Sequence, residues 1–154
     1  MRAALLALGL LTAASLLSGP ARAQNVREPR EFGDKLLQTL VDGRGEAFLD
    51  MLEKDSALGE GPGVQALRDN RPAWARQLNA PGTATGWEYG GYLEGAPSVR
   101  VLCYFAKFRN APLLIEMSFY RSDESWNVGN VAWIGGQNMW RHPCVTSGPR
   151  RGTN

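Results

Sequence analysis

Two cysteines, a single histidine and a glutamate set inside an apolar run offer the most chemistry in this 154-residue chain. Cys103 and Cys144 are both well inside the chain, and His142 stands two residues before Cys144. A nucleophilic cysteine needs a histidine framed by Asn or Asp, and no such dyad is recognisable around His142. A metal centre needs three or more ligands, and with no second histidine none is expected. The two cysteines read instead as one disulfide, closing a loop of about 40 residues and contributing about 4 kcal/mol through chain entropy. Glu116 lies between Ile115 and Met117. Buried, its carboxyl would titrate high and serve as a general base. Strand alternation places it instead with Ser118 and Tyr120 on an outer sheet face, paired with Lys107 or an arginine. Glu88 is a second, weaker acid candidate. Trp87, Tyr104, Glu116, Tyr120 and Trp133 are the candidates for lining a ligand cavity, aided by Trp126. Aromatic side chains on strands more commonly build core. Leu102, Tyr104, Phe108 and Tyr120, if exposed together, would form a patch for a homodimer through the sheet face. Gly90-Gly91 and Gly135-Gly136 lack the Lys and Ser/Thr of a phosphate loop, and no G-x-S-x-G or H-E-x-x-H is present. No cofactor is implied.

The compartment follows from the first residues. Met1-Arg2, an apolar run from Ala3 to Leu17, the helix-breaking Ser18-Gly19-Pro20 and Ala21-Arg22-Ala23 compose a secretory signal, with cleavage expected between Ala23 and Gln24. The apolar run is shorter than the ~20 residues needed to span a bilayer. Arg2 and Arg22 leave with the signal, and the remaining basic residues then equal the 15 acidic ones. A neutral chain has no general attraction for nucleic acid or anionic lipid. The expected location is periplasmic or extracellular, where a disulfide persists. The organisation expected is a signal peptide over 1–23, one domain over 24–146 and a polar disordered tail over 147–154.

These groups need elements to hold them. After a disordered lead-in over Gln24–Pro29, Phe32, Leu36, Leu37, Leu40 and Val41 predict a helix over 30–41. A second helix is predicted over 46–54. A third, over 64–78, is predicted to divide at Pro72, which would sit in the first turn of a new helix. From Thr83 onward the pattern turns to strands: one around Trp87 and Tyr89 with a kink or bulge at Gly90-Gly91, then 98–109, 113–121 and 126–134. The strand over 113–121 alternates most cleanly, with Leu113, Ile115, Met117 and Phe119 on one face. The fold class expected is α+β, with N-terminal helices packed on a curved antiparallel meander of about four strands.

Tyr104–Leu113 followed by Phe119-Tyr120-Arg121, a polar turn and Trp126 resembles small bacterial members of the nuclear-transport-factor-2-like superfamily. That resemblance covers most of the chain in layout. It implies a cone-shaped fold with three leading helices and a pocket between helices and sheet, in a superfamily that spans enzymes and pure binding modules. The carboxylate base and oxyanion donor of its isomerase members have no counterpart that aligns residue by residue here.

The function expected is therefore an exported, non-enzymatic binding module for a small apolar ligand or a protein. Two alternatives stand beside it. An isomerase- or lyase-type enzyme requires a carboxylate, Glu116 or Glu88, inside a pocket. An inhibitor or immunity-type protein requires a flat exposed aromatic patch and no cavity.

Overall fold

The computed structural model describes residues 28–55, 62–122 and 125–147. The expected signal peptide, its cleavage site at Ala23–Gln24 and the tail beyond Ser147 lie outside them. Pro29 opens α1 (Pro29–Val41) rather than closing a disordered lead-in. Its ring presets the helical φ at a position with no amide to satisfy, and the Glu28 side chain accepts the Arg30 amide hydrogen. The apolar stripe of α1 buries Phe32, Leu36, Leu37 and Leu40. α2 (Gly45–Asp55) adds Phe48, Leu49 and Leu52.

α3 (Pro62–Asn79) runs through Pro72 without dividing, contrary to the sequence expectation. Pro72 is exposed, so the Arg68 carbonyl that loses its amide partner faces the solvent side. Leu67 before the proline and Leu78 after it stay on one buried stripe, and that burial holds the helix together. α2 and α3 are clamped by Arg71, whose Nη2 lies 2.7 Å from both Glu46 and Asp50 and whose Nη1 lies 3.3 Å from Glu53. Burial lowers the Arg71 pKa less than its hydrogen bond to Glu46 raises it, and the net shift is upward.

The strands β1 (Ala84–Ala96), β2 (Val99–Phe108), β3 (Leu113–Ser122) and β4 (Ser125–Ile134) form an antiparallel meander in sequence order. The register slips between Tyr89 and Gly91, a bulge at the glycine pair where a kink or bulge was expected. Gly91 has φ +117°, a conformation that a side chain would strain. Leu102, Tyr104, Ile115, Met117 and Phe119 face the helices and complete the main core.

The opposite face is also covered. α4 (Gly136–Trp140) and α5 (Pro143–Thr146) fold back across it, bringing Met139 and Cys144 onto Cys103 and Leu114. Cys103 and Cys144 are joined there as a disulfide, Cα to Cα 6.1 Å. The sheet is thus covered on both sides at this end. The run Leu102-Cys103-Tyr104 is buried without interruption, alternate residues belonging to different cores.

Candidate functional site

The five candidate ligand residues do not converge. Tyr104, Trp87 and Trp133 belong to the helix side, whereas Glu116 and Tyr120 belong to the outer face. Tyr104 is fully buried. Its hydroxyl donates to Asp34 Oδ1 at 2.9 Å and lies 3.2 Å from the Arg30 carbonyl oxygen. Arg30 Nε donates to the same carboxylate oxygen at 2.7 Å, and its guanidinium lies 3.5 Å above the Tyr89 ring. Burial pushes the Tyr104 pKa far above the ordinary phenol range, and the Asp34 carboxylate adds to the effect. Trp87 packs edge-on against Tyr104 and donates its indole N–H to Gln38 at 3.3 Å. Gly33 is what allows α1 this close: a Cβ there would lie 2.8 Å from two Tyr104 ring carbons. These groups dock α1 on the sheet and leave no room for a ligand.

Glu116 is on the outer face, but its partner is His142, with Oε2 to Nε2 at 3.0 Å, rather than Lys107 or an arginine. α5 brings the imidazole over the sheet, with His142 Nδ1 accepting the Cys144 amide hydrogen at 3.3 Å. Both side chains of the pair are about one-fifth exposed, 18% and 21%. Glu116, His142 and Cys144 present potential metal donors within 4.8 Å of one another. The Cys144 sulfur is committed to the disulfide, which leaves two free donors, fewer than a structural or catalytic zinc site uses. Lys107 pairs with Glu88 instead, at an exposed position. The proposed outer patch also separates. Leu102, Tyr104 and Phe108 turn to the helices, and only Tyr120, 53% exposed, stays outside.

Two of the grooves among the described residues lie near the helix ends that meet the sheet. The larger, of about 480 Å³, runs from the end of α3 past the β2–β3 turn to the β4–α4 junction. Gln77, Pro81, Asn110, Pro112, Trp133 and Gly135 line it, together with Ala80 and Ala111. Trp133 is anchored by edge contacts with Trp74 at 5.0 Å and Phe48 at 6.3 Å. Its indole N–H donates to Gln77 Oε1 at 2.6 Å, so the Gln77 carboxamide presents its N–H groups away from the indole. The smaller groove, of about 280 Å³, lies beside Leu40, Leu78, Asn79, Thr83 and Phe108. No carboxylate, imidazole, thiol or cationic side chain lines either groove.

Of the sequence candidates, Trp133 alone reaches the larger groove. Gln77, Asn110 and the two prolines were missed because they come from a helix end and a turn, where no periodicity points at a shared cavity. The Asn110-Ala111-Pro112 turn and the Gly135-Gly136 strand end were each visible, but nothing in the sequence placed them side by side. Comparison with protein-family models, curated proteins and solved structures finds no match to this chain.

Proposed function

We propose that this chain is an exported, non-enzymatic binding module whose ligand site is the groove at Trp133, Gln77 and Asn110. The observation that carries the reading is the lining. It combines a fixed indole, two carboxamides and no group able to take or give a proton near neutral pH. Such a wall binds and orients but performs no acid–base step. Its volume falls in the roughly 300–1,000 Å³ range of small-ligand pockets. Export is supported by the Met1–Ala23 signal pattern and by the Cys103–Cys144 disulfide. No helix among the described residues is long and apolar enough to cross a membrane. The order of helices before a four-stranded meander is the layout that the superfamily resemblance implies. The space between these layers is filled by Leu36, Phe48, Ile115 and Met117, which moves the binding site to the end of the sheet.

The rivals have less support. Glu116 and Glu88, the acids an isomerase or lyase would use, line neither groove. An inhibitor-type aromatic face is reduced to Tyr120 and Trp140, the latter 61% exposed. A homodimer through the sheet would have to form on the part of the outer face that α4 and α5 leave open, around Tyr120. Ligand-observed NMR with a library of neutral and charged small molecules tests the reading, using the wild type and the groove-filling Ala111→Trp and Ala80→Trp variants. Binding that both variants abolish supports it. Binding indifferent to both, or turnover that Glu116→Gln removes, overturns it.

A further inference from the structure

The lining of the groove also selects a class of ligand. Resting on the binding reading above, we propose that the groove takes a neutral saccharide of one or two rings.

Three features of the wall lead there. First, it carries no charge. A carboxylate, phosphate or ammonium ligand would lose hydration and meet no counter-charge, which costs free energy at any partly enclosed site. Second, the wall is not simply apolar. The Gln77 carboxamide has its oxygen engaged by the Trp133 indole, so its N–H donors are the free end, and Asn110 supplies a second carboxamide. An aliphatic or purely aromatic ligand would cover these groups without replacing their bonds to water. Third, the remaining surface includes two flat, stiff groups, the Trp133 indole and the exposed ring of Pro112. A rigid indole contacts an apolar ring at little entropic cost.

A pyranose matches all three features. It is neutral, its hydroxyl edges accept from carboxamide N–H groups and donate to carboxamide oxygens, and its C–H faces are apolar. Gly135 and Gly136 contribute backbone without side chains to the groove at the β4–α4 junction. An opening of about 480 Å³ leaves space for more than one ring.

Isothermal titration with N,N′-diacetylchitobiose, cellobiose and maltose tests this against two controls, glucuronic acid and N-acetylprolinamide. The expected result is binding of at least one neutral disaccharide, weaker or absent binding of glucuronic acid, and a loss of roughly 2–10-fold for Gln77→Ala, the worth of one hydrogen bond. Asn110→Ala should weaken binding comparably, and Ala111→Trp should abolish it. Gln77 is exposed but also accepts from the Trp133 indole, so the Gln77→Ala comparison is read together with Asn110→Ala, which leaves that bond in place. If N-acetylprolinamide binds in an Ala111→Trp-sensitive manner and no saccharide does, the saccharide class is wrong while the groove stands as the binding site. Saccharide binding that Ala111→Trp and Gln77→Ala leave unchanged would overturn the assignment to this groove.

Discussion

Breaking the Cys103–Cys144 bond provides a quantitative test of how the C-terminal helices are held. The bond spans a sequence separation of 41 residues, and closing a loop of that length removes about 4 kcal/mol of chain entropy from the unfolded state. Both cysteines are essentially inaccessible in the folded protein. Two buried thiols occupy nearly the volume of the disulfide and behave as small apolar groups, so reduction loses little packing. The loop term should therefore dominate. For a domain of this size, 4 kcal/mol corresponds to a fall in Tm of roughly 12–20 °C. Thermal unfolding by circular dichroism, with and without dithiothreitol, measures it, and a Cys103→Ala/Cys144→Ala double variant checks that the reductant acts through this bond. Hydrogen exchange adds a spatial readout. Once the covalent tie is cut, α4 and α5 are held to the sheet by Met139 and the Glu116–His142 pair, so amides over 136–147 should lose protection before those of β2 and β3. An unchanged Tm with both thiols open to alkylation would refute the tie and the account of the second core with it.

Gly33→Ala should destabilise the protein by roughly 1–3 kcal/mol in denaturant titration, because the new methyl group meets the Tyr104 ring. Adding Tyr104→Phe should recover only part of that loss, since it removes the hydroxyl, the atom nearest the new methyl group, but leaves two ring carbons 2.8 Å away. The folded Tyr104 pKa is raised above the unfolded value, so its contribution is intact below the ordinary phenol pKa of about 10 and is lost as pH climbs beyond it. Equilibrium unfolding from pH 8 to 11 should accordingly show alkaline destabilisation that is shallower in Tyr104→Phe; equal slopes would contradict it. Arg71→Ala should cost about 1 kcal/mol, and the loss should shrink in high salt, since the clamp is partly exposed. A salt-independent loss would mean that Arg71 acts through packing.

Much of the fold could be read from residue spacing. The clean alternation of Leu113, Ile115, Met117 and Phe119 located the core face of β3, and Gly90-Gly91 marked the β1 bulge. The cysteine count and the export signal pointed to a disulfide, and the structure holds Cys103 and Cys144 joined. What escaped was set by tertiary contacts. Pro72 suggested a break, but burial of Leu67 and Leu78 on one stripe outweighs the lost hydrogen bond. Alternation on β2 could not say which face was solvent-exposed, because α4 and α5 cover the second face over Cys103. These two short helices were hidden in a stretch that reads as turn residues, and with them the His142 partner of Glu116. The groove depends on three segments far apart in the chain, and only Trp133 carried a sequence signal for it.

Binding at the groove is tested most directly by following the Trp133 indole N–H and the Gln77 side-chain amide in ¹H–¹⁵N correlation spectra during titration with the strongest binder from the library of neutral and charged molecules. These groups are hydrogen-bonded to each other at 2.6 Å, and both face the groove. Their resonances should move together, along with those of Asn110 and Gly135, with one common dissociation constant. Shifts that instead cluster around Tyr120 or around the Glu116–His142 pair, with the Trp133 and Gln77 signals unmoved, would contradict it.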